Sequence, residues 1–334
     1  MIQATLITAN GTTLTLSDTE NAELFWGIRG GGSNFGVCTE FVLRLHPQRR
    51  TIFSGLVVFP AEVLSEFMTT LSHWLENAKE TEGMHMLLRK DPSSGKVGDH
   101  ISWLYLRGVD VTRLQFCITL VLFYNGSEEE GRENYKKFYA LSKSSNEIRL
   151  DRTDQDLGDQ NLFSMARKRF LLKNSIHLFV FRLCLSTHIL MLPIQNNAHP
   201  RGMCAYIKSA FQSKPTFSVV NHLLEKLTEL NAAPGNEIEH GYGFELFPKN
   251  AILSRSEDAT AHVRDHRYTT GCIITWMNNT PSVEQAAKQA AHELTDIVAK
   301  AEGTETNSGY GNFSEHLYLF EFRSHSTYIV FHRF

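Results

Sequence analysis

Three consecutive glycines at positions 30–32 are the feature of this chain with the clearest chemical potential. They lie within the run LFWGIRGGGSNFGV at residues 24–37. Glycine costs chain entropy on folding, so three in succession favour positive φ angles or a backbone that comes very close to another group. Main-chain N–H groups without neighbouring side chains can donate to phosphate or carbonyl oxygens. The run is interpreted as a turn that contacts a cofactor, with a plain structural turn as the alternative.

The run does not match the two commonest glycine motifs of nucleotide sites. A phosphate-binding P-loop requires Lys and Ser or Thr after its last glycine, where this chain has Val37 and Cys38. The dinucleotide motif Gly-x-Gly-x-x-Gly, counted from Gly30, places its last glycine on Phe35, and counting from the next glycine also fails. Both kinds of site are excluded for this turn.

A second candidate for chemistry is Glu245, which lies in the strand-like run YGFELF at residues 242–247. A carboxylate inside a half-apolar strand can face a cleft and act as a general base. The alternatives are a position facing solvent and a structural ion pair. Lys208 and Arg264 could hold anionic or hydroxyl groups of a substrate, or they could be ordinary surface residues.

Residues 25–47 resemble the end of the flavin-binding domain of the berberine bridge enzyme-like oxidases, which are FAD enzymes of the vanillyl-alcohol-oxidase superfamily with PCMH-type FAD-binding domains. The glycine run and the downstream FxLxLHP at residues 41–47 carry this resemblance. It implies FAD as the cofactor, with the turn lying against the flavin. The residues that the resemblance assigns to FAD contact are Gly31, Gly32, Asn34, Gly36 and Val37.

The run SGYGNFSE at residues 308–315 resembles the family's late Tyr-x-Asn-Tyr segment. The resemblance implies that Tyr310 faces the flavin and assists proton removal, and that Asn312 helps to hold the cofactor. Phe313 replaces the second Tyr of the pattern, and Glu315 stands at its acidic position. An exposed turn is the alternative interpretation.

The elements that must position these residues follow from hydrophobic periodicity and turn chemistry. The Asn10-Gly11 pair predicts a hairpin, and Ser17 or Asp18 is expected to cap a helix over residues 20–28. Further predicted strands cover residues 37–45, 53–59, 100–106, 116–124, 237–247 and 271–276, and further predicted helices cover residues 61–79, 128–141, 216–230 and 283–301.

The family resemblance implies an α+β fold in which the C-terminal piece of a PCMH-type FAD-binding domain precedes an antiparallel-sheet substrate domain backed by helices, with seven strands in the family's usual sheet. We divide the chain into residues 1–47, which belong to the FAD-binding domain, residues 48–309, which form the substrate domain, and an atypical segment at 310–334. The first segment cannot bury a core alone, and the resemblance implies a chain truncated at its N-terminus. We interpret residues 167–193 as translated intron and the atypical C-terminal segment as the result of a shifted frame or a missed splice site.

Composition narrows the classes of function. The net charge of −3 leaves no electrostatic footprint for nucleic acid. The five cysteines are widely spaced, which argues against a disulfide framework and against a zinc site. Lys173 and Arg182 interrupt the apolar stretch at 167–193, so no membrane span is expected. No signal-type segment opens the chain, and its compartment stays open, although intact family members are often secreted.

The resemblance implies an FAD-dependent oxidoreductase that oxidises an alcohol, a sugar or a secondary metabolite by hydride transfer to flavin. The expected partners are a small-molecule substrate and O2 as a candidate electron acceptor. The alternative is a non-catalytic remnant, or a small-molecule binding module, that has lost FAD binding.

Overall fold

The computed structural model describes residues 1–45, 47, 52–90, 116–142, 150–152, 203–232, 238–256, 264, 266–304 and 316–319. Within these ranges the chain forms one sheet of three strands and one of eight, each with helices packed beside it. Every strand pairing is antiparallel. The predicted α+β fold with an antiparallel sheet backed by helices is confirmed.

The three-stranded sheet forms around the predicted hairpin. Strand β1 (Gln3–Ile7) pairs with β2 (Thr13–Ser17) on one side and with β3 (Val37–Val42) on the other. Gly11 takes a φ of +82°, and the Asn10 side chain accepts a hydrogen bond of 3.0 Å from the backbone N–H two residues later. The predicted hairpin is confirmed, but in this turn Gly11 takes a positive φ and Asn10 does not, so it is not the two-residue turn in which both do.

Helix α1 (Ala22–Ile28) packs against this sheet, but the predicted cap is wrong. Asn21 precedes the helix in the left-handed region, at φ 50° and ψ 45°, and makes no side-chain cap bond. The Ser17 hydroxyl accepts instead from the backbone N–H groups of residues 19 and 20, at 3.2 and 3.0 Å. Ser17 therefore stabilises the turn before the helix rather than the helix itself.

The larger sheet contains the remaining strands. They are β4 (Phe53–Pro60), β5 (Glu82–Lys90), β6 (Phe116–Tyr124), β7 (Leu150–Arg152), β8 (Cys204–Gln212), β9 (Glu239–Leu246), β10 (Tyr268–Trp276) and β11 (His316–Leu319). Their order across the sheet is β11-β8-β10-β9-β5-β6-β4-β7. Strand β11 comes from the atypical C-terminal segment.

Helices cover one face of the larger sheet. They are α2 (Leu64–Asn77), α3 (Glu128–Asn134), α4 (Lys136–Ser142), α5 (Phe217–Asn231) and, after the short helix α6 (Asn250–Leu253) that follows β9, α7 (Pro281–Ala301). Helix α7 contacts β8 and β10, α5 contacts β9, and α3 and α4 contact β4. Thr216 and Thr280 cap α5 and α7, because each hydroxyl accepts a hydrogen bond from the backbone N–H three residues later.

Alternation along the strands separates two faces. In β9 the side chains of Tyr242, Phe244 and Leu246 belong to the hydrophobic core beneath the helices. Successive strand residues point to opposite faces, so the residues between them, including Glu245, lie on the face away from the helices. We call this second surface the open face. It is the part of the fold that bears on the candidate site.

Several predictions fall outside the described residues. These are the strand at 100–106, the interpretation of 167–193 as translated intron, and the whole of the Tyr310–Asn312 motif. None of the described helices combines the length and the apolar character that crossing a bilayer requires.

Candidate functional site

The glycine-rich turn packs around the ring of Phe35. After α1 the chain passes through a 3-10 helix (Gly32–Phe35) that includes Gly32 and Asn34. A Cβ atom at Gly27 would lie 2.9 Å from the Phe35 ring, and one at Gly31 would lie 2.5 Å from the ring and 2.8 Å from the Gly27 carbonyl oxygen. These two positions need glycine because any side chain would collide with the protein's own atoms.

Glycine is also required at position 36 by contacts within the protein. Gly36 adopts φ +141°, and a Cβ atom there would lie 2.2 Å from the carbonyl oxygen of Ile7 on the neighbouring strand. The close approach of β3 to β1 at this point therefore requires glycine. Contact of Gly31, Gly32 and Gly36 with FAD remains a prediction, although the need for glycine at positions 31 and 36 is explained without a cofactor.

Several side chains of the turn and of the elements beside it are exposed. Asn34 is exposed, and its Nδ2 donates to the Gly31 carbonyl oxygen at 2.7 Å. The side chains of Val37 and Trp26 are 66% and 41% exposed. The exposed groups include an amide and apolar side chains, and the edge of a flavin ring system can contact both kinds of group. The described residues of this turn therefore fit part of a flavin-binding site.

Glu245 lies on the open face and is half-buried. Its register places it directly opposite His85 of β5. Residues directly opposite in an antiparallel pair have Cβ atoms about 4.5–5.5 Å apart. Glu245 is thus neither fully exposed nor fully buried and lies opposite an imidazole, and its role as a general base remains a prediction.

His85 is a residue that the sequence interpretation missed. It is only 8% exposed, and its ring meets Phe247 edge to face with centroids 5.1 Å apart. The signal was present in the alternation of Met84, Met86 and Leu88, all of which are core residues. That pattern predicts a strand over β5 and places His85 on the opposite face.

Two glycines leave the open face without side chains next to Glu245. Gly241 and Gly243 precede it on the same face of β9, and Gly243 pairs with Gly271 of β10. A Cβ atom at Gly241 would meet nothing closer than a backbone oxygen at 3.4 Å, and one at Gly243 would meet the tip of Leu87 at 3.1 Å. Both positions are half-buried. Neither contributes a side chain, so the sheet itself leaves space beside Glu245 along β9.

The two basic residues considered from sequence have different environments. Lys208 is 7% exposed and pairs with the core residue Cys272 across β8 and β10, so it lies on the helix-covered face and not with Glu245. Arg264 is half-buried, and burial together with the charges of Arg29 and Arg255 lowers the pKa of its guanidinium. Lys208 is thus separated from the open face by the sheet.

Tyr310 and Asn312 lie outside the described residues, so their assignments to proton removal and to cofactor contact remain predictions. Within the part of the chain that the structure describes, no group of three or more His, Cys, Asp or Glu side chains is arranged to hold a metal ion.

No family model matches the chain. The FAD-linked oxidoreductase pgmH of Aspergillus terreus is 32% identical over 146 residues, which cover 43% of this chain and 27% of that protein. The (R)-6-hydroxynicotine oxidase of Paenarthrobacter nicotinovorans is 29% identical over 121 residues, which cover 34% of this chain and 26% of that protein. The matched segments thus span about a quarter of the length of these curated relatives.

Solved structures have the same fold over most of the chain. 6-Hydroxy-D-nicotine oxidase from Arthrobacter nicotinovorans matches with a TM-score of 0.57 at 18% identity, covering 94% of this chain and 57% of that chain. A variant of berberine bridge enzyme matches with a TM-score of 0.57 at 18% identity, covering 94% of this chain and 54% of that chain. By sequence and fold together, this chain is a relative of the FAD-linked oxidoreductases and has the fold of the berberine bridge enzyme-like oxidases.

Proposed function

We propose that the protein is an FAD-dependent oxidoreductase of the berberine bridge enzyme-like type, which oxidises an alcohol, a sugar or another small secondary metabolite. The observation that carries this proposal is the position of Glu245, half-buried on the open face of the larger sheet with a low glycine surface beside it. The named relatives supply the class of reaction, and O2 is the proposed electron acceptor.

The chemistry divides between cofactor and protein. When bound, a flavin supplies the acceptor for a hydride. Glu245 takes the proton from the substrate's hydroxyl or amine group, which requires its carboxylate to be ionised before the reaction. Gly241 and Gly243 leave the space in which the substrate lies. Tyr310 is proposed to assist proton removal.

The turn after α1 contributes to holding the cofactor in this proposal. Asn34 and Val37 present an amide and an apolar side chain on its exposed surface, and the preceding glycines let the backbone follow that surface closely. Asn312 is proposed as a further cofactor contact.

Flavin binding tests the cofactor assignment. The full chain is expressed, desalted and examined for absorbance at about 450 nm, where oxidised flavin absorbs. Its affinity for FAD is then measured by adding FAD and following the intrinsic fluorescence of the protein. We expect a yellow protein, and Asn34→Ala is expected to bind FAD about fivefold more weakly because one hydrogen bond contributes about 1 kcal/mol. Asn77→Ala is the matched control, since Asn77 is also exposed and its Nδ2 donates to a single backbone carbonyl oxygen, that of His73.

Hydrogen peroxide production from a panel of alcohols, sugars and amines tests the role of Glu245. Glu245→Gln is expected to lower turnover by about 10²- to 10⁴-fold, the usual contribution of a general base. Glu239→Gln, at the exposed start of the same strand and on the same face, is expected to leave turnover unchanged. A colourless chain that binds no FAD on titration would overturn the proposal and support the non-catalytic remnant or binding module.

A further inference from the structure

The pair formed by His85 and Glu245 brings two titratable groups together on one face of the sheet. The two residues are directly opposite in the β5–β9 register, although they are far apart in the chain. Side chains in such positions are within reach of each other, with Cβ atoms about 4.5–5.5 Å apart. An imidazole at this distance can donate a hydrogen bond to the carboxylate or, when protonated, can stabilise its charge.

The surroundings of His85 restrict how its ring can move. The ring is nearly buried and stands edge to face against Phe247, with an interplanar angle of 80°. On the side away from Glu245, the directly opposite residue is Val121 of β6, which is 3% exposed. A ring held between an aromatic and a β-branched side chain keeps a fixed position relative to its neighbour on β9.

Along the described strands β5 and β9, the other charged residues of this face are remote. Arg89 lies four residues from His85 along β5, about 13 Å at the usual rise of a strand. Glu239 lies six residues from Glu245 along β9, about 20 Å away by the same rise. Cys117 is the titratable residue that β6 contributes to this face, and the open-face residues of β10 carry none. The nearest titratable neighbour of Glu245 on the described strands is therefore His85.

We propose that His85 is a positioning residue for Glu245, because its imidazole holds the Glu245 carboxylate ionised and oriented over the glycine surface. This inference rests on the proposed function, in which Glu245 accepts a proton from the substrate. In that step the substrate's O–H or N–H bond breaks, an O–H bond forms on Glu245, and His85 keeps its own protons. The role differs from a purely structural one because it couples the ionisation of the two side chains.

Coupled ionisation can be measured without cofactor or substrate. The full chain is labelled with ¹³C-histidine, and the His85 ring signal, assigned through its loss in His85→Gln, is followed as a function of pH. A nearby carboxylate raises the pKa of an imidazole, so Glu245→Gln should lower the pKa of His85 by at least half a unit, about a threefold change in proton affinity. Glu239→Gln is the matched control and should leave the pKa of His85 unchanged.

The reverse titration keeps the test decisive if Glu245→Gln does not fold. The side-chain carboxyl carbon of Glu245 is then followed in the wild-type chain and in His85→Gln, where the pKa of Glu245 should be higher by the same amount because the coupling is reciprocal. The proposal would be overturned if the pKa of His85 fell by less than half a unit in Glu245→Gln, or if the pKa of Glu245 rose by less than half a unit in His85→Gln. Since no flavin is present, this result is independent of whether the chain binds FAD.

Discussion

The indole Nε1 of Trp74 donates a 2.7 Å hydrogen bond to the carboxylate of Glu82 inside the helix-covered face of the larger sheet. Glu82 is 2% exposed, and it also accepts from the backbone N–H of Lys79 at 2.7 Å and from the amide of Asn134. This buried carboxylate connects α2, β5 and α3. Its three donors satisfy the charge that burial would otherwise penalise.

We expect Glu82→Ala to destabilise the fold by about 3 kcal/mol, because the buried indole N–H of Trp74 and two part-buried donors lose their acceptor. Trp74→Phe should cost less, since the carboxylate keeps two of its donors. The check is the midpoint of urea unfolding. Glu76→Gln, which removes an exposed ion pair with Lys214, is the control and should leave that midpoint unchanged. An equal loss in Glu76→Gln would contradict the role assigned to Glu82.

Gly27→Ala should destabilise the small N-terminal sheet because the new methyl group would meet the Phe35 ring at 2.9 Å. In the Phe35→Ala background the same substitution should become stabilising by up to about 1 kcal/mol, since alanine is a better helix former than glycine. Amide hydrogen exchange of α1 and β1 reports the local stability. Additive effects of the two substitutions would show that the ring does not determine the residue at position 27.

Gly241→Ala and Gly271→Ala should have opposite effects on stability. A Cβ atom at Gly241 has ordinary contacts, so alanine should add about 0.5–1 kcal/mol by reducing the entropy of the unfolded chain. A Cβ atom at Gly271 would lie 2.7 Å from the Lys208 carbonyl oxygen and 3.0 Å from the Ser209 Cα, so alanine should destabilise. Thermal unfolding of the two variants checks the signs, and destabilisation by both would contradict the description of the open face.

His240 should make the protein less stable as the pH falls from about 6.5 towards about 4. Burial lowers the pKa of this side chain from 6.5 to about 4, so between these values the unfolded state binds a proton that the folded state does not. The resulting loss at pH 5 is about 2 kcal/mol relative to pH 7. Urea unfolding at both pH values should show a smaller drop for His240→Gln. The same drop in both proteins would refute the assignment to His240.

The parts of the fold that sequence predicts well are those specified by local chemistry. The Asn10-Gly11 turn determines its hairpin through the backbone, and Phe67, Leu71 and Trp74 of α2 share a buried face at helical spacing. Strand β5 was missed, although Met84, Met86 and Leu88 alternate, because Glu82 places a charge on their apolar face and Leu87 an apolar residue on the other. Its pairing with β6 and β9 is non-local, and it is this pairing that makes the segment a strand.

The residues of the candidate site also differ in whether the sequence alone could identify them. Glu245 could be selected from its own strand, because a charge among alternating apolar residues is a local pattern. His85 could not, because its position opposite Glu245 depends on the register of strands distant in sequence. The glycines at 31 and 36 suggested a bound cofactor because sequence alone shows neither the Phe35 ring nor the Ile7 carbonyl oxygen that occupy the space beside them.

The outer edge of β3 has a practical consequence. In the part of the chain that the structure describes, β3 pairs with β1 on one side only, and its Val37 and Phe41 side chains are 66% and 52% exposed. Unpaired main-chain donors and acceptors flanked by apolar side chains are a template for strand addition between molecules. The described edge of β3 can therefore accept an added strand, and a lysine placed at position 41 would oppose that pairing.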